Sequence, residues 1–410
     1  MNKFLKEFKD RGYFYQCTSE DELSKLLNSE KIKGYIGFDC TAESLHVGSL
    51  LQIMCLRLLQ KHGHRPIVLL GGGTTRIGDP SGKDKTRKIL TEKEIDKNIK
   101  SIEKILKKFL ENKNPKTKPI FVNNYTWLKG LNYIAFLREI GKHFTINKML
   151  TFESVKTRLD REQSLSYMEF NYMILQAYDF LELNKKNNCV LQIGGSDQWG
   201  NIVNGVELIK RSSGKQTFGL TTPLITLASG SKMGKTEKGA VWLDKNLLSP
   251  YDYWQFWRNT DDRDVIKFLK MFTDKGVSEI EIMKNKNINE LKILLANETT
   301  SMLHGKAAAK KAAETAEKTF GVGSFGDDLP VIKLKKNELN FGINIIDVVV
   351  MSNLLKSKSE VRRAIKNLGI KVNNNTINNE SSNITFDDFK DNILKLSHGK
   401  KNHVLFKITN

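Results

Sequence analysis

Residues 35–49, YIGFDCTAESLHVGS, decide the fold. The apolar start of this stretch predicts a buried strand over 35–39, and the loop after it leads into residues 45–61, where apolar side chains recur at 50, 51, 54 and 58. That spacing follows the 3.6-residue period of a helix. A second apolar run follows at 67–70, so the stretch predicts a β-α-β unit with parallel strands.

The same alternation continues along the chain and predicts an α/β fold with a Rossmann-like parallel sheet. Strands are predicted over 35–39, 67–70, 119–122 and 189–193, and helices over 94–110 and 170–183. A helical insertion is predicted near residues 130–163. Residues 261–320 show only helical patterns, and a turn-rich break precedes a basic tail. We therefore predict a domain over 1–246, an all-α helical domain over 247–330 and a small α+β domain over 340–410.

The composition restricts the functional class. The chain has 410 residues, 66 basic and 46 acidic, and a formal net charge of +20, which favours a polyanionic partner. The hydrophobic content is 39%, and no apolar run has the roughly 18 residues of a membrane span, so we expect no membrane partner. The four cysteines lack zinc-ligand spacing, so we predict no protein-bound metal and a reducing, cytoplasmic location. We also find no targeting segment.

The loop after the first predicted strand is a candidate phosphate site. A strand that runs into a helix N-terminus presents free N–H groups and a positive dipole end. Gly37 and Gly48 allow a ligand to approach the backbone, and His46 could donate to a phosphate oxygen. The alternative is a capped helix with a surface histidine.

The Gly-rich stretch 71–83, GGGTTRIGDPSGK, follows the second predicted strand, where open α/β sheets bind ligands. It is not a Walker A loop, because only three residues separate Gly78 from Gly82 and aspartate follows Lys83. Asp79 could hold a substrate ammonium group, or it could cap the turn.

The predicted helix 170–183 carries polar residues on one face. Tyr172, Gln176 and Asp179 stand at i, i+4 and i+7 among apolar neighbours. Buried polar groups need partners, so either a polar ligand or core hydrogen bonds accompany them.

Two further segments carry glycine turns. The first is 191–201, LQIGGSDQWGN, in which the double glycine allows close packing of a ring or ribose and Asp197 and Gln198 could hold hydroxyl groups. A plain strand–helix turn would show the same sequence pattern.

The second is 229–236, SGSKMGKT, in which two lysines suit a loop that closes over phosphates. The alternative is a solvated lysine-rich loop, which is what such a sequence usually forms.

Together and in this order, the five segments resemble the bacterial-type tyrosyl-tRNA synthetases, a family of class I aminoacyl-tRNA synthetases. Residues 175–180, LQAYDF, and 192–201, QIGGSDQWGN, are the most specific. In the resemblance, residues 46–49 match the His-Ile-Gly-His signature and residues 232–236 the Lys-Met-Ser-Lys-Ser signature. Ser49 departs from the usual second histidine and keeps only a hydroxyl donor.

The resemblance implies ATP-dependent attachment of L-tyrosine to tRNA(Tyr) in two steps, through tyrosyl-adenylate and with release of pyrophosphate. It implies that Tyr35 and Asp179 contact the phenol oxygen and that Asp79, Tyr172 and Gln176 surround the α-ammonium group. The ATP-binding residues that it implies are Gly37, Asp39, Thr41, His46, Gly48, Ser49, Gly195, Asp197, Gln198 and Lys235. The residues that it implies for catalysis at the phosphates are His46, Lys83, Arg87, Lys232, Lys235 and Thr236. Mg²⁺ would accompany ATP as part of the substrate.

The tail resembles an S4 RNA-binding domain, in residues 343–350, INIIDVVV, and 357–366, SKSEVRRAIK. From residue 331 onward it holds 14 basic and 7 acidic residues. Val361, Ala364, Ile365 and Leu368 would form the inner stripe of its helix, which leaves three basic residues for phosphates or for solvent: Arg362, Arg363 and Lys366.

Members of this family are symmetric dimers, so we expect a homodimer with the contact near residues 130–163. Two other functions remain open at this point: a non-catalytic RNA-binding protein that keeps the synthetase body, and a P-loop nucleotide hydrolase, which the short glycine spacings disfavour.

Overall fold

The computed structural model describes the following residues: 2–79, 90–236, 239–320, 329–339, 342–390, 392–399 and 402–409. The chain divides into two compact units, residues 1–309 and 310–410, and each is described by itself. The three domain ranges predicted from the sequence, 1–246, 247–330 and 340–410, stay predictions.

A six-stranded sheet forms the centre of the first unit. Its strands are β1 (Gln16–Cys17), β2 (Lys33–Phe38), β3 (Arg65–Leu70), β4 (Ile120–Asn123), β5 (Cys189–Gly195) and β6 (Phe218–Thr222). The order across the sheet is β1-β6-β5-β2-β3-β4. All neighbouring strands are parallel except the edge strand β1, which pairs antiparallel with β6. The predicted parallel sheet is confirmed, although β1 and β6 were not predicted.

The strand order reverses direction between β2 and β5. From β2 the chain adds β3 and β4 on one side, and from β5 it adds β6 on the other. Parallel sheets leave a crevice at the carboxyl ends of the two strands where the order reverses. The segments after β2 and β5 are therefore brought together.

Helices cover the sheet as in other β-α-β folds. They are α1 (Lys3–Asp10), α2 (Glu20–Ser29), α3 (Leu50–Lys61) and α4 (Glu92–Leu110), followed by four short insertion helices, α5 (Tyr125–Leu128), α6 (Tyr133–Glu139), α7 (Ile146–Leu150) and α8 (Glu153–Asp160), and then by α9 (Tyr167–Asn187) and α10 (Trp199–Ser213). The predicted helical insertion is thus present in the structure.

One helix boundary differs from the prediction. Helix α3 begins at Leu50 rather than near residue 45, because a 3₁₀ turn, Val47–Ser49, comes first. His46 has extended backbone angles and is the N-cap of that turn, so it lies before the α-helix and not in its first turn.

After the sheet come two short paired strands and a helical layer. The strands are β7 (Lys235–Thr236) and β8 (Gly239–Ala240). The layer contains α11 (Pro250–Arg258), α12 (Val265–Phe272), α13 (Val277–Met283) and α14 (Ile288–His304), and α15 (Lys306–Phe320) follows. Aromatic rings form much of its core, with Trp257 in contact with Phe268 and Phe272.

The second unit is α+β, as predicted. Its five-stranded sheet has the order β12-β11-β14-β15-β9, and β10 pairs with β13. The strands are β9 (Val331–Lys335), β10 (Ile343–Asn344), β11 (Ile370–Val372), β12 (Asn375–Thr376), β13 (Asn383–Ile384), β14 (Ile393–His398) and β15 (Asn402–Thr409), and the helices are α16 (Ile345–Met351) and α17 (Lys358–Lys366).

The prediction that Leu368 belongs to the buried inner stripe is wrong. Val361 and Ile365 are buried, but Leu368 is 58% exposed. Leu368 follows the C-cap, Asn367, and has a left-handed φ of 57°, so the helical periodicity no longer applies to it.

Within the described residues, none of the helices has the length and apolar character that a bilayer span requires.

Candidate active site

A cavity of about 420 Å³ opens where β2 and β5 end. It lies at the strand-order reversal, as expected for a ligand site in an open α/β sheet. The cavity brings together most of the residues that were predicted from the sequence: Tyr35, Gly37, Asp39, Thr41, His46, Gly48, Ser49, Asp79, Tyr172, Gln176, Asp179, Gly195, Asp197 and Gln198.

The deep end of the cavity pairs a phenol with a carboxyl group. The Tyr35 hydroxyl is buried and has no hydrogen-bond partner among the described residues. Asp179, also buried, accepts hydrogen bonds from Trp127 Nε1 at 2.7 Å and Asn124 Nδ2 at 2.9 Å. An unpaired buried hydroxyl costs free energy, so this end of the cavity suits a ligand that offers a hydroxyl group.

Burial controls the ionisation of this pair. It raises the pKa of Asp179 to about 7, although the two hydrogen bonds from Asn124 and Trp127 act in the opposite direction. Burial, with the nearby Asp179 charge, also raises the pKa of Tyr35 well above its usual value. Near neutral pH the Tyr35 phenol is therefore protonated and can donate, while Asp179 can take either form.

A chain of hydrogen bonds connects this end to Asp39, at the start of the loop after β2. The Tyr172 hydroxyl donates to Asp39 Oδ2 at 3.0 Å, and Thr74 Oγ1 donates to Asp39 Oδ1 at 2.8 Å. Asn124 Nδ2 donates to Thr74 Oγ1 at 3.0 Å as well as to Asp179. Helix α9 is thereby tied to the ends of β2, β3 and β4.

Sequence reasoning missed Thr74, Asn124 and Trp127. A signal was available for Asn124, which directly follows β4 at the carboxyl edge of the sheet, where ligand sites form. Nothing in the sequence pattern indicated that Trp127 would donate to a carboxylate 52 residues away.

A second group of polar side chains lies around Asp79. Gln198 Nε2 donates to Asp79 Oδ2 at 2.9 Å, so Asp79 faces the cavity. Asn201 Nδ2 donates to Gln176 Oε1 at 3.0 Å and to Gln198 Oε1 at 3.1 Å. Burial raises the pKa of Asp197, with the Asp79 charge as a second cause. Carboxylates and amide oxygens therefore face this part of the cavity, an arrangement that attracts an ammonium group.

His46 is oriented by its own turn. Its Nδ1 accepts a hydrogen bond from the Gly48 N–H at 3.0 Å. In the neutral ring the proton then resides on Nε2, which is the nitrogen that can donate. The imidazole also meets Trp242 edge-on, with ring centroids 6.3 Å apart.

The lysine-rich loop begins as a hairpin over residues 225–233. Met233 N–H donates to Ile225 O at 3.0 Å, Leu227 N–H donates to Ser231 O at 2.8 Å, and Thr226 pairs with Lys232 across it. Burial raises the pKa of Asp197 overall, and the Lys232 charge acts against this rise, so that charge lies near the cavity. We call this segment the lysine hairpin.

The chain after the lysine hairpin lies against His46. Gly234 has a φ of 114°, and a Cβ added there would lie 2.8 Å from His46 Nδ1. The two predicted signatures are therefore in contact, and glycine is what allows it.

Some predicted residues are not placed by the structure. Lys83 and Arg87 lie outside the described residues, and of Lys235 and Thr236 only the backbone is described. Among the residues that are described, no group of three or more His, Cys, Asp or Glu side chains could hold a metal ion.

Comparisons with known proteins show the family to which the chain belongs. Residues 27–321 match the family "tRNA synthetases class I (W and Y)". A mitochondrial tyrosyl-tRNA synthetase from Aspergillus nidulans, C-terminally truncated, has 30% identity and a TM-score of 0.71, and the match covers 77% of this chain and 94% of that one. The fold and the site thus define a class I tRNA synthetase.

The relatives narrow the class. A tyrosine–tRNA ligase of Pelagibacter ubique (strain HTCC1062) is 73% identical over 98% of this chain and 99% of its own length. A tyrosine–tRNA ligase of Rickettsia massiliae (strain Mtu5) is 50% identical over 99% of this chain and 100% of its own length. Residues 322–406 match the tyrosine–tRNA ligase SYY-like C-terminal domain. The chain belongs to the tyrosine–tRNA ligase family, so the resemblance seen in its sequence is confirmed, and with it the predicted fold class and the use of tyrosine, ATP and tRNA.

Proposed function

We propose that the cavity binds L-tyrosine with its phenol oxygen between Tyr35 and Asp179. The observation that carries this proposal is the buried Tyr35 hydroxyl, which has no partner among the described residues and stands beside a buried carboxyl group. A substrate hydroxyl would donate to Asp179 and accept from Tyr35. Phenylalanine would leave both groups unpaired, so the site would reject it without a separate editing step.

The α-ammonium group of tyrosine would lie toward Asp79, Tyr172 and Gln176. Asp79 supplies the negative charge, and the hydrogen bonds among Gln176, Asn201 and Gln198 fix the orientation of the amide groups. Helix α9 presents its three polar side chains along one face, so it would contact both ends of the substrate.

ATP would occupy the shallower part of the cavity. Its contacts would come from the loop after β2 and the turn after β5, with the following residues: Gly37, Asp39, Thr41, His46, Gly48, Ser49, Gly195, Asp197 and Gln198. The tyrosine carboxylate would attack the α-phosphorus, and pyrophosphate would leave. Negative charge grows on phosphate oxygens in that transition state, so preorganised donors and cations accelerate the step without a protein nucleophile.

The proposed donors are His46 Nε2, Lys232 of the lysine hairpin and Lys235 in the chain that follows it. Lys232, Lys235 and Thr236 would act at the phosphates, as would Lys83 and Arg87. Mg²⁺ would arrive with ATP, held mainly by phosphate oxygens, which is how Mg²⁺ commonly binds in nucleotide sites.

Exchange of labelled pyrophosphate into ATP tests the first step. We expect exchange that requires tyrosine. Asp179→Ala should weaken tyrosine use more than ATP binding, and Lys235→Ala should slow activation while tyrosine affinity stays nearly the same. Absence of tyrosine-dependent exchange with pure, folded protein would favour the non-catalytic RNA-binding alternative.

The second unit is proposed to bind tRNA(Tyr). In α17 the three predicted basic residues, Arg362, Arg363 and Lys366, are exposed, and Arg362 lies 3.5 Å from Glu380. Exposed cations at this spacing suit phosphate contacts. Removal of residues 340–410 should abolish tRNA charging and spare adenylate formation, and an equal loss of both would contradict the proposed division into domains.

The insertion is proposed to hold two copies together. Large apolar side chains are exposed on it and at the start of α9: Tyr133, Ile134, Leu137, Ile146, Leu150, Leu159 and Tyr167. An exposed apolar surface of this kind marks an interaction site. Sedimentation should therefore show a homodimer, and Ile134→Asp should shift it toward monomer. We also propose a cytoplasmic location, consistent with four unpaired cysteines.

A further inference from the structure

Side chains of the helical layer hold the first strand and the turn of the lysine hairpin. Asp264 Oδ2 accepts a hydrogen bond from the Ala228 N–H at 2.7 Å. Lys267 Nζ donates to Thr226 O at 3.2 Å. Thr226 lies on the first strand of the hairpin and Ala228 in the turn that follows it, so the two contacts fix that strand and the turn.

Asp264 is unusual for a residue at the start of a helix. It stands at the N-cap of α12, where an aspartate usually accepts from the second or third N–H of its own helix. Asp264 makes no such bond, and its carboxylate instead binds the Ala228 N–H. It is 6% exposed, so this charged hydrogen bond is shielded from water. The Asp264 carboxylate therefore stabilises the hairpin and not the N-terminus of its own helix.

The anchored strand lies directly opposite Lys232. Thr226 pairs with Lys232 in the hairpin, and Met233 N–H binds Ile225 O one position further. A displacement at Ala228 or Thr226 would therefore move the Lys232 backbone. Lys232 itself is exposed.

We propose that Asp264 is a positioning residue for Lys232: it fixes the lysine hairpin so that the ammonium group reaches the phosphates of bound ATP, and Lys267 supports it. The helical layer would thereby determine the rate of the first chemical step without touching the substrate. This inference rests on the proposed role of Lys232 at the phosphates.

The test measures the rate constant of tyrosyl-adenylate formation and the KM for tyrosine. Asp264→Ala should lower the rate constant about tenfold, because a small misplacement of a charged group costs about that much or more. The KM for tyrosine should not change. Asp264→Asn should keep most of the rate, because its amide oxygen can still accept from Ala228.

Asp261→Ala is the matched control. Asp261 caps the neighbouring 3₁₀ turn and lies three residues from Asp264. Within the part of the chain that the structure describes, its carboxylate bonds to Arg263 and not to the hairpin, so the rate should stay at the wild-type value. Lys267→Met, which removes the second anchor, should slow the step several-fold even if Asp264→Ala does not fold.

Lys232→Ala separates the two hypotheses. If Lys232→Ala leaves the rate unchanged, the proposed role of Lys232 is wrong. If it slows the step while Asp264→Ala and Lys267→Met do not, Lys232 keeps its role and the anchoring is wrong. In the Lys232→Ala background, Asp264→Ala should have little further effect, and a full additional tenfold loss would contradict action through Lys232.

Discussion

Trp127→Phe tests the control of Asp179 ionisation most sharply. The variant keeps an aromatic ring but loses the Nε1–H that donates to Asp179 Oδ1 at 2.7 Å. That donor favours the charged carboxylate, and it opposes burial, which raises the Asp179 pKa to about 7. Removal of the donor should raise the pKa further.

The size of the effect follows from the strength of the lost bond. A hydrogen bond to a charged group contributes about 1.5–3 kcal/mol, and one pKa unit corresponds to about 1.4 kcal/mol. The acid limb of kcat/KM for tyrosine should therefore begin near pH 7 in the wild type and move upward by about one to two pH units in Trp127→Phe. At pH 7.5 the kcat/KM of the variant for tyrosine should be roughly threefold to 25-fold lower than that of the wild type, by the same relation.

The assay is tyrosine-dependent pyrophosphate exchange between pH 5.5 and 9.5, because kcat/KM reports the ionisation of the free enzyme. Tyr178→Phe is the control: it removes a donor next in sequence to Asp179, but that hydroxyl binds Glu182. Its acid limb should stay in place. An unmoved limb in Trp127→Phe, or a loss that is equal at every pH, would refute the reasoning.

Three other outcomes are expected. Gly234→Ala should slow adenylate formation at least tenfold, because its Cβ would lie 2.8 Å from His46 Nδ1. The control Gly230→Ala also has a positive φ, but its Cβ would have no atom within 4 Å, so its rate of adenylate formation should fall less. Equal rates in the two variants would contradict the contact with His46. Arg11→Met should lower the free energy of unfolding in urea by about 3 kcal/mol, because Arg11 donates to the carbonyl groups of Lys270, Thr273 and Lys275, while the exposed Lys6→Met should change it by less than about 0.5 kcal/mol. Hydrogen bonds from Lys61, Arg11 and His62 outweigh burial and hold the pKa of Glu7 at about 2, below its ordinary value of 4.5. The stability that ionised Glu7 provides is therefore present above pH 4.5 and is lost as the pH falls toward 2. The thermal unfolding temperature of Glu7→Gln should differ from that of the wild type at pH 7 and converge with it near pH 2.

The parts of the fold set by periodic patterns could be predicted from the sequence. The β-α-β units around residues 35–70 and 119–195 have apolar runs and helical spacing that specify strands β2 to β5. Strand β1 has only two residues, and β6 contains Gly219 in a run of five, so neither shows a clear pattern. The left-handed Leu368 likewise ended a helix that periodicity alone would extend.

The candidate site was predictable to the extent that topology decides it. Segments that follow parallel strands meet at one edge of the sheet, which is why Asp39, Asp79 and Asp197 line one cavity. The bonds of Trp127 to Asp179 and of Asp264 to Ala228 were not predictable, because they join distant segments through single polar contacts that no local pattern records.

Discrimination between tyrosine and phenylalanine tests the central claim most directly. The ratio of kcat/KM for the two amino acids in pyrophosphate exchange should be large in the wild type. In Tyr35→Phe it should fall by about tenfold to a hundredfold, mainly through poorer use of tyrosine, because one hydrogen bond to the substrate hydroxyl is lost. An unchanged ratio in Tyr35→Phe would show that the phenol oxygen is not recognised at this end of the cavity.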